Sequence, residues 1–243
     1  MVSLSQPFLR IALPLLVIVI VIQSGSAAAA PKPHIISLGK WITVQWFPGN
    51  GAADDKPLTL KVRPLLLDAR VKEFTLGPAH DVTERLFVVR RAFRVNDSLP
   101  QESTSPPRWQ WQRGGWLLVD RVTGHISSIN LPEFDALYSA VSWYRDYAAY
   151  CGVSDDGKKI YAVVAQLNRR KPVMKKLLAA ESGEKEMKDP AADSACPLPD
   201  WKRLPTRVTF EPPASPKQTF AIRGHSIDQV NESEEQEDEE AEK

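Results

Sequence analysis

Histidine, cysteine and methionine are scarce here: the 243 residues hold four, two and three of them. The histidines, His34, His80, His125 and His225, form no H-E-x-x-H, and no two share i, i+4 spacing, so no metal site is written locally. His80 and Asp81 are adjacent, which in a strand sends them to opposite faces. Cys151 and Cys196 make no C-x-x-C, which excludes a catalytic dithiol of that kind, and their spacing fits no zinc pattern. G-x-S-x-G and a glycine-rich phosphate loop are both missing. Asp155-Asp156-Gly157 lacks the terminal Glu of a calcium loop, and Lys158 and Lys159 follow it. No catalytic residue, metal or cofactor is assigned on these grounds.

Long apolar runs are also missing, with one exception at the start. Met1–Arg10 carries a single cation, Ile11–Ile22 is almost wholly apolar, and Gln23–Ala30 ends in small residues. That layout is a signal peptide over 1–30, cleavable after Ala28 or Ala30. A membrane span needs about 20 apolar residues, and Gln23, Ser24 and Ser26 interrupt too early. The expectation is export to a periplasmic or extracellular space, secreted with no span left after cleavage. In an oxidising space two cysteines point to one disulfide, Cys151 to Cys196. The loop of about 45 residues makes it worth on the order of 4 kcal/mol by chain entropy.

What the chain has in quantity is proline, 20 residues, which favours short elements and turns. Charge is plentiful and unevenly placed. Ile227–Lys243 carries nine acids against Lys243. Setting aside Arg10 with the leader and Lys243 with the tail leaves 29 of the 31 bases. Removing nine of the 30 acids leaves 21, so the body is at +8. A near-neutral total thus joins a cationic body to an acidic tail. Residues 225–243, poor in aromatics, are expected to stay disordered, and 31–224 to fold as one β-rich domain.

Alternation supplies the strands. Ile42, Val44 and Trp46 share one face, and Leu58–Arg63 alternates until Pro64. Val71–Leu76 is stopped by Gly77-Pro78. Leu86–Val89 runs on into Ala92–Val95. Trp109–Gln112 and Trp116–Asp120 flank Arg113-Gly114-Gly115, a hairpin signal. Thr123-Gly124 and Asp156-Gly157 mark further turns, the second a strong hairpin signal. Pro132–Ala140 reads as a short helical turn, and Pro172–Ala180 as a strand or a two-turn helix. Thr206–Glu211 and Gln218–Arg223 are late strands. The fold class expected is mostly β: one antiparallel domain (sandwich, open barrel or propeller-like fragment) with minor helix.

Val119-Asp120, Thr123-Gly124-His125-Ile126, Ser142-Trp143-Tyr144 and Ser154–Tyr161 together resemble a single β-propeller-type blade. The resemblance covers about 55 residues, Gly115 to Leu167, and implies antiparallel strands joined by D-x-x-T-G and S-x-D-G-K-x-I hairpins. No specific family is implied by it, and a closed propeller needs about four such blades.

Aromatic residues supply the candidate binding positions. Trp109 and Trp111 sit two apart on one strand face, and Trp116 follows; exposed indoles could stack on sugars or aromatic ligands, and buried ones pack a core. In Trp143–Cys151, tyrosines on both sides read as a central strand covered on both faces, with Arg145 and Asp146 near its boundary. Arg90, Arg91 and Arg94 form one basic cluster, and Arg169, Arg170, Lys171, Lys175 and Lys176 another; a solvated face accounts for either. Three functions stay open. The first is a non-enzymatic binding module outside the cytoplasm, with a protein, anionic or glycan partner and no nucleic acid. The second is a hydrolase of an extracellular polymer such as a glycan, using Asp120, Glu133, Asp135 or Asp146 as acid and base. The third is a structural envelope-assembly subunit.

Overall fold

A computed structural model describes residues 34–47, 57–98, 107–180, 196–212, 216–223 and 226–230. Fifteen strands follow in order: β1 (Ile36–Leu38), β2 (Ile42–Trp46), β3 (Leu58–Leu67), β4 (Arg70–Asp81), β5 (Leu86–Asn96), β6 (Trp109–Asp120), β7 (Ile126–Ile129), β8 (Val141–Tyr144), β9 (Tyr147–Val153), β10 (Lys159–Gln166), β11 (Met174–Ala180), β12 (Asp200–Lys202), β13 (Arg207–Phe210), β14 (Gln218–Arg223) and β15 (Ser226–Val230). Among the described residues there is no helix. The minor helix expected from sequence is therefore corrected: Pro132–Ala140 is a chain of turns, and Pro172–Ala180 resolves into β11. Residues 1–30, read from sequence as a signal peptide, lie outside the described residues, as do those beyond Val230; β15 occupies the start of the segment read as a disordered tail.

The first sheet closes on itself. Strands β2 to β6 pair in succession except across the β6 end, where Trp46 of β2 meets Trp111 of β6 in parallel. An odd number of strands in an up-and-down ring forces one parallel pair, and this is it. Closure removes the exposed edges that an open sheet would leave. Trp46, Leu60, Val62, Leu76 and Ala92 form one apolar cluster of this ring. Leu65, Phe87, Val89, Leu117 and Val119 form another. β1 adds to β3, and β7 to β6, as short outer strands.

Two four-stranded meanders follow, β8 to β11 and β12 to β15, each antiparallel throughout. In β9 the side chains alternate between two cores. Ala148 and Tyr150 pack with Val88 and Trp116 of the ring, while Ala149 and Cys151 pack with Val208, Phe210 and Phe220 of the last sheet. The expectation that this peptide is covered on both faces holds for β9 itself. It is not one continuous strand from Trp143: the chain reverses at Arg145 and Asp146, where Arg145 has φ 53°, and Tyr144 pairs with Tyr147.

Other corrections share one physical cause, that a glycine or proline in a strand marks a bulge as readily as a stop. β3 runs through Pro64, and β4 runs through Gly77-Pro78. Arg113-Gly114-Gly115 is no hairpin; it lies inside β6. The Asp156-Gly157 turn does join β9 to β10, and the Thr123-Gly124 turn joins β6 to β7. The residues of the blade resemblance divide between the ring (β6, β7) and the next sheet (β8 to β10).

Candidate functional site

Two bulges meet at Arg90. Along β4 and β5 the pairing jumps from Leu76↔Arg90 to His80↔Val88, so four steps on β4 face two on β5. Gly77, Pro78 and Ala79 thus stand opposite Val89 alone, and Gly77 takes φ +62°, which a residue with a Cβ adopts only at a cost. Along β5 and β6 the pairing jumps from Arg90↔Trp116 to Ala92↔Arg113. There Gly114 lies so close that an added Cβ would stand 3.1 Å from the Arg91 carbonyl oxygen. Bulges re-aim side chains and often flank sites.

Beside them opens a cavity of about 570 Å3. Its walls come from β3 (Leu60, Lys61), the β4 bulge through His80, Arg90, Arg113, Trp116, the segment Leu137–Trp143 and Leu198. Asp135 shapes the approach of that segment: its carboxylate accepts the amide N–H of Leu137 at 2.7 Å and of Tyr138 at 3.0 Å. Ser139 Oγ donates to the Cys151 carbonyl at 2.8 Å, tying the turn to β9.

The electrostatics are one-sided. Arg90 Nε donates to the Gly114 carbonyl at 3.4 Å, and Nη2 to that of Ala136. No carboxylate pairs with it among the described residues. Burial first, and then the charge of Arg113, pulls its pKa down to about 10, with Asp135 acting the other way. The Arg113 guanidinium sits 4.1 Å from the Trp46 ring centre. The indole N–H groups of Trp116 and Trp143 are buried, with no hydrogen-bond partner among the described residues. Those two rings meet edge-on at 5.3 Å, and His80 stacks on Trp143 at 6.1 Å. His80 Nε2 in turn donates to the Arg145 carbonyl at 2.9 Å.

The six positions singled out from sequence therefore separate. Trp116 and Trp143 come together in the cavity wall. Trp109 is 56% exposed and Trp111 half-buried, and both flank Arg94, whose guanidinium stands 5.6 and 5.4 Å from their ring centres. The three indoles thus form no single platform. Arg145 and Asp146 make a hairpin turn; Asp146 accepts from Gln166 Nε2 at 2.8 Å. Each carboxylate weighed for hydrolysis has a structural partner: Asp120 with Arg85, Glu133 with Lys175, Asp135 with backbone amides and Asp146 with Gln166. Arg90 was readable only as one of three clustered arginines; Arg91 goes to Glu73 and Arg94 to the aromatics, so the three part company. Of the positions singled out from sequence, Trp116 and Trp143 mark this wall.

Cys151 and Cys196 form a disulfide, their Cα atoms 6.1 Å apart. No helix among the described residues is long and apolar enough to cross a membrane, and no group of three metal-ligating side chains gathers among them. Comparison of the chain with protein-family models, curated proteins and solved structures finds no match.

Proposed function

We propose that this protein is an exported, non-enzymatic binding module whose ligand site is the cavity beside the two bulges. One observation carries the reading: Arg90 lines a largely apolar cavity, with hydrogen bonds only to backbone carbonyls among the described residues and its guanidinium 5.8 Å from the Phe134 ring centre. A half-buried cation that no carboxylate contacts directly is costly, and an anionic ligand offsets that cost. Small-molecule sites are concave, mostly apolar and carry a few convergent polar groups, which describes this one. Export rests on the signal-like start and agrees with the Cys151–Cys196 pair.

Native mass spectrometry of the protein recovered from the envelope or medium of its host is the test. A discrete non-covalent adduct, diminished in Arg90→Gln, supports the reading, and a mature N-terminus at Ala29 or Pro31 supports export. A bare chain that degrades a polymer substrate would sink the binding reading in favour of a hydrolase.

A further inference from the structure

We propose that the outer face of the β2–β3 pair binds an acidic polysaccharide, with a sugar ring on Trp41 and acid groups on Lys61 and Arg63. This is a second surface beyond the cavity, and of its residues Lys61 alone also stands at the cavity wall.

Alternation builds the face. Thr43 pairs with Lys61 and Gln45 with Thr59, while Val44 and Leu60 between them turn to the core. Trp41, one residue before β2, meets Arg63, whose guanidinium stands 4.3 Å from its ring centre. Trp41, Thr43, Gln45, Thr59 and Lys61 are exposed, and Arg63 is half-buried. Side chains on one face of a strand stand about 6.6 Å apart, so Trp41 to Gln45 spans roughly 13 Å. That length suits a chain of sugar rings.

Charge narrows the class of ligand. None of the six side chains is acidic, and no carboxylate pairs with Lys61 or Arg63 among the described residues. Arg63 Nη2 donates instead to the Gly77 carbonyl at 3.3 Å. Glu73 lies two residues from Thr75, the β4 partner of Arg63, and is taken up by Arg91 at 2.9 Å. Two cations with no acid among them attract a polyanion.

The uncharged groups then choose among polyanions. The hydroxyls of Thr43 and Thr59 and the amide of Gln45 each donate and accept. Sugar hydroxyls do the same, whereas ionised carboxylates only accept. Trp41 keeps 45% of its surface exposed. An indole offers a broad apolar area that covers the C–H side of a sugar ring. Residues 231–243 of this chain are acidic and contain no ring to place there.

The test uses the full chain with polygalacturonate, with dextran as the neutral polysaccharide and with polyglutamate as the acidic peptide, read by calorimetry at low and high salt. The expected result is saturable binding of polygalacturonate, with dextran and polyglutamate each weaker by roughly tenfold or more. Trp41→Ala should weaken polygalacturonate by about tenfold at either salt, and Trp41→Tyr should recover part of it. Lys61→Gln should cost about threefold at low salt and less at high salt. Polyglutamate bound as tightly as polygalacturonate overturns the sugar in favour of an acidic peptide. Dextran bound as tightly overturns the need for acid groups. Binding that neither Trp41→Ala nor Lys61→Gln weakens overturns this face, and no binding of polygalacturonate overturns the proposal outright. Trp41 is exposed and outside the cavity wall, so any of these failures leaves the reading of the cavity standing.

Discussion

Cys151, in an inner strand of the second sheet, is bonded to Cys196, which leads into the third sheet; two residues on, Leu198 reaches the cavity wall. The same two cysteines sit in the apolar cluster that both sheets share. The bond therefore fixes a sheet pair and one wall of the site together. The double variant Cys151→Ala, Cys196→Ala should lose about 4 kcal/mol in urea unfolding, from the unfolded loop it sets loose. A double variant of unchanged urea midpoint would count against this role.

Asp68 and Ala69 close the β3–β4 hairpin with φ of 50° and 62°. Both central residues of such a turn need positive φ, which disfavours alanine. Ala69→Gly removes that strain at some cost in chain entropy, so a net gain of about 0.5 kcal/mol is expected. Chemical denaturation reads it, and a loss of stability would mean that Ala69 has contacts worth more than its strain.

Asp120 ends β6 and binds Arg85, whose Nε donates to both carboxylate oxygens at 2.9 Å. That bond first, and then the amides of Val122 and Thr123, hold its pKa well below the ordinary carboxylate value. A folded pKa below the unfolded one adds stability that is complete above the unfolded value and fades as pH falls toward the folded one. Asp120→Asn should therefore be less stable than wild type at neutral pH. The gap should narrow as pH drops below the ordinary carboxylate range. A gap that stays constant between neutral and strongly acid pH would rule out this linkage.

Most strands were legible because alternation such as that in Leu58–Arg63 maps directly onto one buried face, with Leu60 and Val62 buried and Thr59 and Lys61 exposed. So was the hairpin at Asp156-Gly157, although only Gly157 takes positive φ (72°) and the loop is longer than a two-residue turn. The turns at Asp68-Ala69 and Arg145-Asp146 were hidden, because no glycine stands where the backbone takes positive φ. Gly114-Gly115 misled in the opposite sense: the glycines that signal a reversal also serve a bulge. The ring closure, Trp46 against Trp111, pairs residues far apart in the chain and leaves no local pattern. Arg90 carries no mark that sets it apart from Arg91 and Arg94. Its burial follows from two register jumps on neighbouring strand pairs, which only the assembled sheet reveals.

A crystal structure of the protein purified from its native source, with no ligand added, bears most directly on the cavity as a binding site. It should show an anionic group within hydrogen-bond distance of the Arg90 guanidinium. Arg90 paired with a carboxylate of its own chain, in a cavity closed by its own side chains, would contradict the account.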